Sequence, residues 1–307
     1  MKKLTYLTFS LFSIFTFAQE VSKERVQTVL STLASDEMKG REIGTQENEN
    51  AANYIATLFK ENNLEYCTGN SYLVPFDYKG KTAYNVCGVK KGKTDKYLGF
   101  SGHFDHIGVS KKEGPDTIYN GADDDASGIT TFVGIADYFK NKKPDFSMVF
   151  MAFNGEEKGM LGSKAISTDK NLDKIYNNMT ALFNFEMVAT ESEFGKNAVF
   201  MTGDEFSDLA ELFNKNAANG LKIYPDPYAK EQLFYRSDNV SFVKKKIIAH
   251  SISTADMSKI THYHQLNDDV NVVDFDNLTT MINNFAKTFE KLNAKNFAPK
   301  YNDTVKF

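Results

Sequence analysis

Five short stretches of this chain carry side chains suited to chemistry, and all of them offer carboxylates or imidazoles. Ser101-Gly102-His103-Phe104-Asp105-His106 sets an imidazole two positions before an aspartate. A neutral imidazole is a good zinc ligand, and a metal-bound histidine usually donates its other ring N–H to an acceptor, a place Asp105 suits. An ordinary loop would also contain His-x-Asp, so this pair specifies nothing by itself. Asn120-Gly121-Ala122-Asp123-Asp124-Asp125-Ala126-Ser127-Gly128 lines up three adjacent carboxylates, which repel one another unless solvated or holding a cation. Capping of the following helix would account for one of the three. Phe153-Asn154-Gly155-Glu156-Glu157 ends an apolar run with a glutamate pair. One glutamate could bind metal while its neighbour takes a proton from metal-bound water. Glu186 follows the apolar Phe183-Asn184-Phe185, where a charge is costly unless paired, protonated or coordinated. His262-Tyr263-His264 precedes Asp268 and Asp269.

Four of the five histidines lie in these stretches, His103, His262 and His264 with His106 at the end of the first, and His250, inside an apolar run, reads as a plain core histidine. Carboxylates with imidazoles form the hard-to-borderline donor mixture that suits zinc. The chain has no HExxH, no GxSxG, no Walker loop and no GxGxxG.

The pattern around these stretches predicts what positions them. Helical spacing recurs in Val26, Val29, Leu30 and Leu33, in Ala51 to Phe59, in Ile129 to Phe139, and in Phe275 to Leu292. Glu205 to Ala218 is also expected to be helical. Apolar runs at Tyr72 to Phe76, Tyr84 to Val89, Tyr97 to Ser101, Met148 to Phe153, Ala181 to Phe185 and Ile247 to Ile252 read as strands. Near-continuous apolar strands alternating with helices predict one α/β domain, a mixed and mostly parallel sheet with helices on both faces. Ligands gather beyond the carboxyl ends of such strands. The chemically capable stretches follow or end predicted strands.

Lys2 and Lys3 precede an apolar run from Leu4 to Phe17, with Ala18 before Gln19. This predicts a signal peptide over residues 1–18, a mature domain over 19–307, and export to the periplasm or beyond the cell. The run falls short of the roughly 20 residues that span a bilayer, so no stable membrane insertion is expected after cleavage. The net charge of -4 and the lone basic triplet Lys244-Lys245-Lys246, placed at the end of a surface helix, argue against a nucleic-acid partner. Cys67 and Cys87 could pair in an oxidising compartment or remain as thiols, and the sequence leaves both open.

In order and content, SGHFDHIG, NGADDDASG, AFNGEEKGMLGS, FNFEM and THYHQLND resemble the M28 family of co-catalytic zinc peptidases. LASDEMKGREIGT and YRSDN also look like that family's surroundings, so the resemblance covers most of the mature chain. It implies a zinc-exopeptidase fold and an aminopeptidase acting on peptide substrates with two zinc ions per chain. It further implies that Asp124 bridges the ions, with His103 and Glu186 on one and Glu157 and His264 on the other. Glu156 would be the general base and Asp105 would orient His103. The chain departs from the family in three places. Glu186 stands where many members have Asp, Asn239 follows Ser237-Asp238 where His is frequent, and Gln265-Leu266 replaces Thr-Pro, which leaves His262 a rival to His264. Tyr235 and Arg236 are candidates to hold substrate or to sit plainly on the surface. Two other activities fit the scaffold. A glutaminyl cyclase would use one zinc, and a non-catalytic binding module would be expected to have lost ligands or the base.

Overall fold

The computed structural model describes residues 20–305, so the expected signal peptide lies outside the described residues. Among the described residues, eleven strands run in chain order as β1 (Glu65–Tyr66), β2 (Leu73–Tyr78), β3 (Lys81–Lys90), β4 (Tyr97–His103), β5 (Gly108–Val109), β6 (Ile118–Tyr119), β7 (Ser147–Phe153), β8 (Met179–Phe185), β9 (Ala198–Met201), β10 (Lys222–Pro225) and β11 (Ala249–Ser253). The helices are α1 (Lys23–Leu33), α2 (Gln46–Glu61), α3 (Ser127–Phe139), α4 (Leu161–Ser167), α5 (Asp173–Tyr176), α6 (Leu209–Asn214), α7 (Asn239–Val243) and α8 (Phe275–Lys291). Side-chain oxygens of Ser22, Thr45 and Asp274 accept the Arg25, Asn48 and Asn277 backbone N–H groups, capping α1, α2 and α8. Each such cap is worth about 1 kcal/mol.

Nine strands form one sheet in the order β1-β3-β7-β4-β8-β11-β9-β10, with β2 on β3. β7, β4, β8 and β11 run parallel at its centre, and antiparallel pairs flank them at β3 and β9. Because side chains alternate along a strand, β7 feeds two cores. Met148, Phe150 and Ala152 pack toward α1, α2, α3 and α8, while Val149, Met151 and Phe153 pack toward α4, α5 and α7. On the first face, Phe289 of α8 meets Phe100 and Phe183 edge-on at 4.7 and 5.0 Å. This is the mixed, helix-covered sheet expected from the sequence. Among the described residues, no helix is long and apolar enough to cross a membrane.

Some local expectations are corrected, and two short strands were not anticipated. The helix expected over Glu205 to Ala218 is a short turn at Asp204–Phe206 followed by α6 alone. Ser207 is extended between them, bridging to Tyr301 and bonding His250 at 2.8 Å, so tertiary partners override helical propensity. β11 begins at Ala249, because Lys246 before it turns through φ 63°. β9 and β10, four residues each, had no sequence signal long enough to detect. The basic triplet does follow a helix end, at Lys244, but α7 is buried throughout rather than a surface helix, and only the lysines after it are exposed.

Cys67 and Cys87 form a disulfide across 20 positions, tying the segment after β1 to β3. Closing a loop of that length contributes about 3 kcal/mol by chain-entropy reasoning. Replacing both cysteines by serine is expected to lower unfolding free energy by roughly that amount. Urea unfolding with and without reductant checks it, and a midpoint indifferent to reductant would contradict the pairing.

Candidate active site

Each side chain singled out in the sequence is carried by the carboxyl end of a strand or by the loop after it. His103 is the last residue of β4, Glu156 and Glu157 follow β7, and Glu186 follows β8. Asp124 lies in the tight turn that opens α3, joined to Asp125 by a cis peptide bond. These residues converge. Asp124 Oδ1 lies 3.2 Å from His103 Nε2, and Glu186 Oε1 lies 3.2 Å from the same nitrogen. On the other side, His264 Nε2 lies 3.3 Å from Asp124 Oδ2 and 3.0 Å from Glu157 Oε2. One aspartate thus faces two imidazoles, one with each oxygen.

A shell of hydrogen bonds aims these groups. Asp125 Oδ2 accepts the His103 N–H at 3.1 Å, and its Oδ1 accepts those of Gly128 and Met187 at 3.0 and 3.1 Å. Only glycine fits at 128, because a Cβ there would stand 2.4 Å from the Phe185 carbonyl and 2.5 Å from the Asp125 carboxylate. Asp123 accepts from Ala189 N–H and bonds His262 Nε2, both at 2.9 Å. His262 is therefore engaged away from the pair, and His264 is the one that reaches it. Asp268 accepts the N–H groups of Asp123 and Asp124 at 2.8 and 3.1 Å. The capping role weighed for the acidic run belongs to Asp125 alone.

Asp105 works differently from its expected role. Its carboxylate is 3.7 Å from His103 Nδ1, whereas its main-chain carbonyl is 3.0 Å away and makes the hydrogen bond. The carboxylate instead accepts the Glu156 and Glu157 N–H groups at 3.0 and 3.3 Å. Glu186 Oε2 accepts Ser237 Oγ at 2.6 Å while Oε1 faces His103, so its extra methylene is absorbed by this second anchor. Asn239, in place of a frequent histidine, bonds the Phe234 carbonyl and Ser251 Oγ at 2.9 and 3.1 Å. His106 is the member underrated from sequence: fully buried, its Nδ1 is 2.9 Å from Glu157 Oε1. Its position directly after Asp105 was the available signal.

The donor set fits a cation. Asp124 Oδ2, Glu157 Oε1 and both ring nitrogens of His106 are buried without a well-aligned hydrogen bond, their nearest polar neighbours being one another and His264. Tetrahedral zinc with bonds of about 2.0–2.1 Å places its donor atoms about 3.3 Å apart, and the separations above match. His103 with Asp125 and Glu186, and His106 with Asp124 and Glu157, each gather donor atoms within 4.8 Å. Asp125 is held by three backbone N–H groups, whereas Asp124 accepts none from the backbone and faces an imidazole on each side. Burial opposes ionisation of Asp124, but hydrogen bonds from His103 and His264 outweigh it and its pKa is lowered. Burial pushes Glu156 up to about 10, the charge of His103 opposing and those of Glu186, Asp238 and Asp105 adding. A cation nearby would draw that proton away.

A cavity of about 120 Å³ opens beside Asp124, Glu156, Glu186 and His264. Met187, Phe200, Leu233, Ala255 and Met257 give it apolar walls, and Arg236 borders it. Ser251 and Ser253 also line it, but their hydroxyls already donate to Asn239 Oδ1 and the Met187 carbonyl. Tyr235 is exposed and lines a different depression, with Phe206 and Phe234.

A mostly parallel sheet with carboxylates and imidazoles gathered at its strand ends defines the fold of the zinc exopeptidases. A Zn-dependent exopeptidase from Parabacteroides distasonis superposes with a TM-score of 0.70 at 15% identity, over 90% of this chain and 100% of that one. A glutaminyl cyclase from Bacteroides thetaiotaomicron superposes with 0.69 at 16% identity, over 89% and 99%. The family follows from sequence: the model for peptidase family M28 matches residues 85–289, and the chain belongs to that family. Aminopeptidase Y of Saccharomyces cerevisiae is 28% identical over 218 residues, 65% of this chain and 37% of that protein. This chain spans between a fifth and two fifths of the length of the curated relatives it matches first.

His250 is the plain core histidine expected, with Ser207 Oγ at 2.8 Å and the Thr202 carbonyl at 2.9 Å. Burial pushes it down from 6.5 to about 4. Between those values the unfolded chain binds a proton that the folded chain refuses, so stability falls as pH drops through that window, by about 3 kcal/mol in full. In His250→Gln this part of the slope is expected to vanish, as measured by denaturant unfolding of metal-free protein across the same pH range. An unchanged slope would refute it.

Proposed function

We propose that this chain is an exported aminopeptidase that holds two zinc ions and hydrolyses the peptide bond after the N-terminal residue of its substrate. One observation carries the reading: the Asp124 carboxylate presents Oδ1 to His103 and Oδ2 to His264, each side completed by a glutamate. His103, Asp124 and Glu186 would hold one ion, and Asp124, Glu157 and His264 the other. When bound, the ions would supply Lewis acidity to the scissile carbonyl and lower the pKa of water from about 15.7 toward 7.

The chain's own residues do the rest. Glu156 borders the cavity beside this cluster and is the candidate base. It takes the proton of the attacking water and returns it to the leaving amine nitrogen, as the C–N bond breaks and the new C–O bond forms. Asp105 fixes the loop that carries Glu156 and Glu157 through their N–H groups. A free α-ammonium group is attracted to the carboxylates around the cavity, and a blocked N-terminus lacks that charge. The apolar walls favour an apolar first side chain, and Arg236 disfavours a cationic one. Export is supported by the Cys67–Cys87 disulfide, which belongs to an oxidising compartment, and by the apolar N-terminal run after Lys2 and Lys3.

Glu156→Gln is expected to bind two zinc ions per chain by metal analysis while losing on the order of 10²–10⁴-fold in kcat. Near-normal turnover in the zinc-loaded variant would remove Glu156 from its role. A panel of aminoacyl substrates should show preference for leucine or methionine over lysine, and loss of cleavage on N-acetylation. Cyclisation of N-terminal glutamine by protein holding a single zinc would instead favour a cyclase.

A further inference from the structure

We propose that Arg41 is the positioning residue that fixes the metal-ligating loops against one another, so that zinc affinity depends on a guanidinium that touches neither metal nor substrate. The inference rests on the metal-binding reading above. Arg41 is fully buried, and its side-chain hydrogen bonds all go to main-chain carbonyls. Nε donates to Phe104 at 2.6 Å, within the segment that carries His103 and His106. Nη1 donates to Asn120 at 2.6 Å and Nη2 to Gly121 at 2.9 Å, directly before the Asp123–Asp125 run. Nη1 also reaches Leu33 at the end of α1 at 2.5 Å.

The main chain of Arg41 reaches the third loop. Its carbonyl accepts Asn48 Nδ2 at 2.8 Å, and Asn48 pairs reciprocally with Asn154 at 2.9 and 2.8 Å, two residues before Glu156. Thus His103, Asp124 and Glu157 are referred to one residue by one or two hydrogen bonds and a few covalent links. The approach is built deliberately. Lys39, Gly40 and Arg41 all lie in the left-handed region, at φ 41°, 66° and 50°. Gly40 has no room for a Cβ, which would stand 2.4 Å from the Tyr119 carbonyl and 2.5 Å from that of Gly108.

Charge gives the residue a second effect. Burial pulls the guanidinium down to about 10, with Asp268, Asp105, Asp124 and Asp125 drawing it back up, so it remains a cation at neutral pH. A lysine would keep that charge but lacks the planar fork that bonds carbonyls of different loops simultaneously. Geometry and charge are therefore separable by substitution.

The test measures zinc affinity of the full chain by competition with a chelator, beside circular dichroism and melting of the metal-free proteins. Arg41→Lys is expected to keep the metal-free spectrum and lose about 10-fold in zinc affinity, and Arg41→Leu about 100-fold, the range typical of residues supporting metal ligands. KM at saturating zinc should stay unchanged, because Arg41 does not line the substrate cavity. Variants that melt lower but bind zinc as tightly as wild type would overturn the proposal, as would a raised KM with intact zinc affinity. If Arg41→Leu does not fold, Arg41→Lys decides alone. Wild-type protein that binds no zinc would sink the proposed function, a result distinct from equal affinities in wild type and variant.

Discussion

The carboxyl groups of Asp105, Asp124, Glu156, Glu157 and Glu186 stand together at one end of the sheet, largely withdrawn from water. Buried like charges cannot all ionise without compensation, and this constraint organises the rest of the structure. The chain answers it with imidazoles from two distant segments, His103 and His264, placed on either side of Asp124. Removing one partner of such a buried arrangement leaves an uncompensated charge and is costly, whereas a divalent cation between the donors satisfies several at once. Among the buried side-chain atoms without a well-aligned hydrogen bond, Asp124 Oδ2, Glu157 Oε1 and the His106 nitrogens face the cluster.

Convergence of this kind needs a rigid frame. The parallel strands β7, β4, β8 and β11 deliver their carboxyl ends to one edge, and backbone polarity there is otherwise unsatisfied. The protein uses side chains to close those groups, and the same bonds aim the ligands. Asp105 holds two N–H groups of the glutamate loop, Asp125 holds three from three segments, and Asp268 holds the two at the head of the aspartate run. Packing on both faces of β7 keeps this edge from shifting, since each successive residue is locked into one core or the other.

Much of this was legible in the sequence because it rests on strong local patterns. The apolar runs at Met148 to Phe153 and Ala181 to Phe185 stand as strands with their expected ends, and the long helices follow the 3.6-residue spacing. The ligand candidates were visible because carboxylates and imidazoles after buried strands have few other uses. What could not be seen was set by distant partners. The break at Ser207 depends on His250 and Tyr301, 43 residues away and further. The disulfide depends on β3 passing near the segment after β1. The detailed job of Asp105 depends on which of its oxygens meets His103, a matter of backbone path that residue type does not encode.

Three consecutive aspartates show why a count of acidic residues says little about a site. Asp123 and Asp125 have their oxygens taken by backbone N–H groups and by His262, while Asp124, between them, has none from the backbone. Because neighbouring side chains on a tight turn point in different directions, the flanking pair can anchor the turn to β4, the segment after β8 and the His262 loop while the middle one points at the histidines. The same division explains the tolerance of the family pattern to change here. Asn239 and Glu186 stand where other residues are frequent in the family, and each closes its bonds locally while Asp124 sits between the imidazoles. A site aimed by saturated neighbours can accept substitutions that keep those neighbours saturated, and it fails when a carbonyl or N–H of the supporting loops is left without its partner.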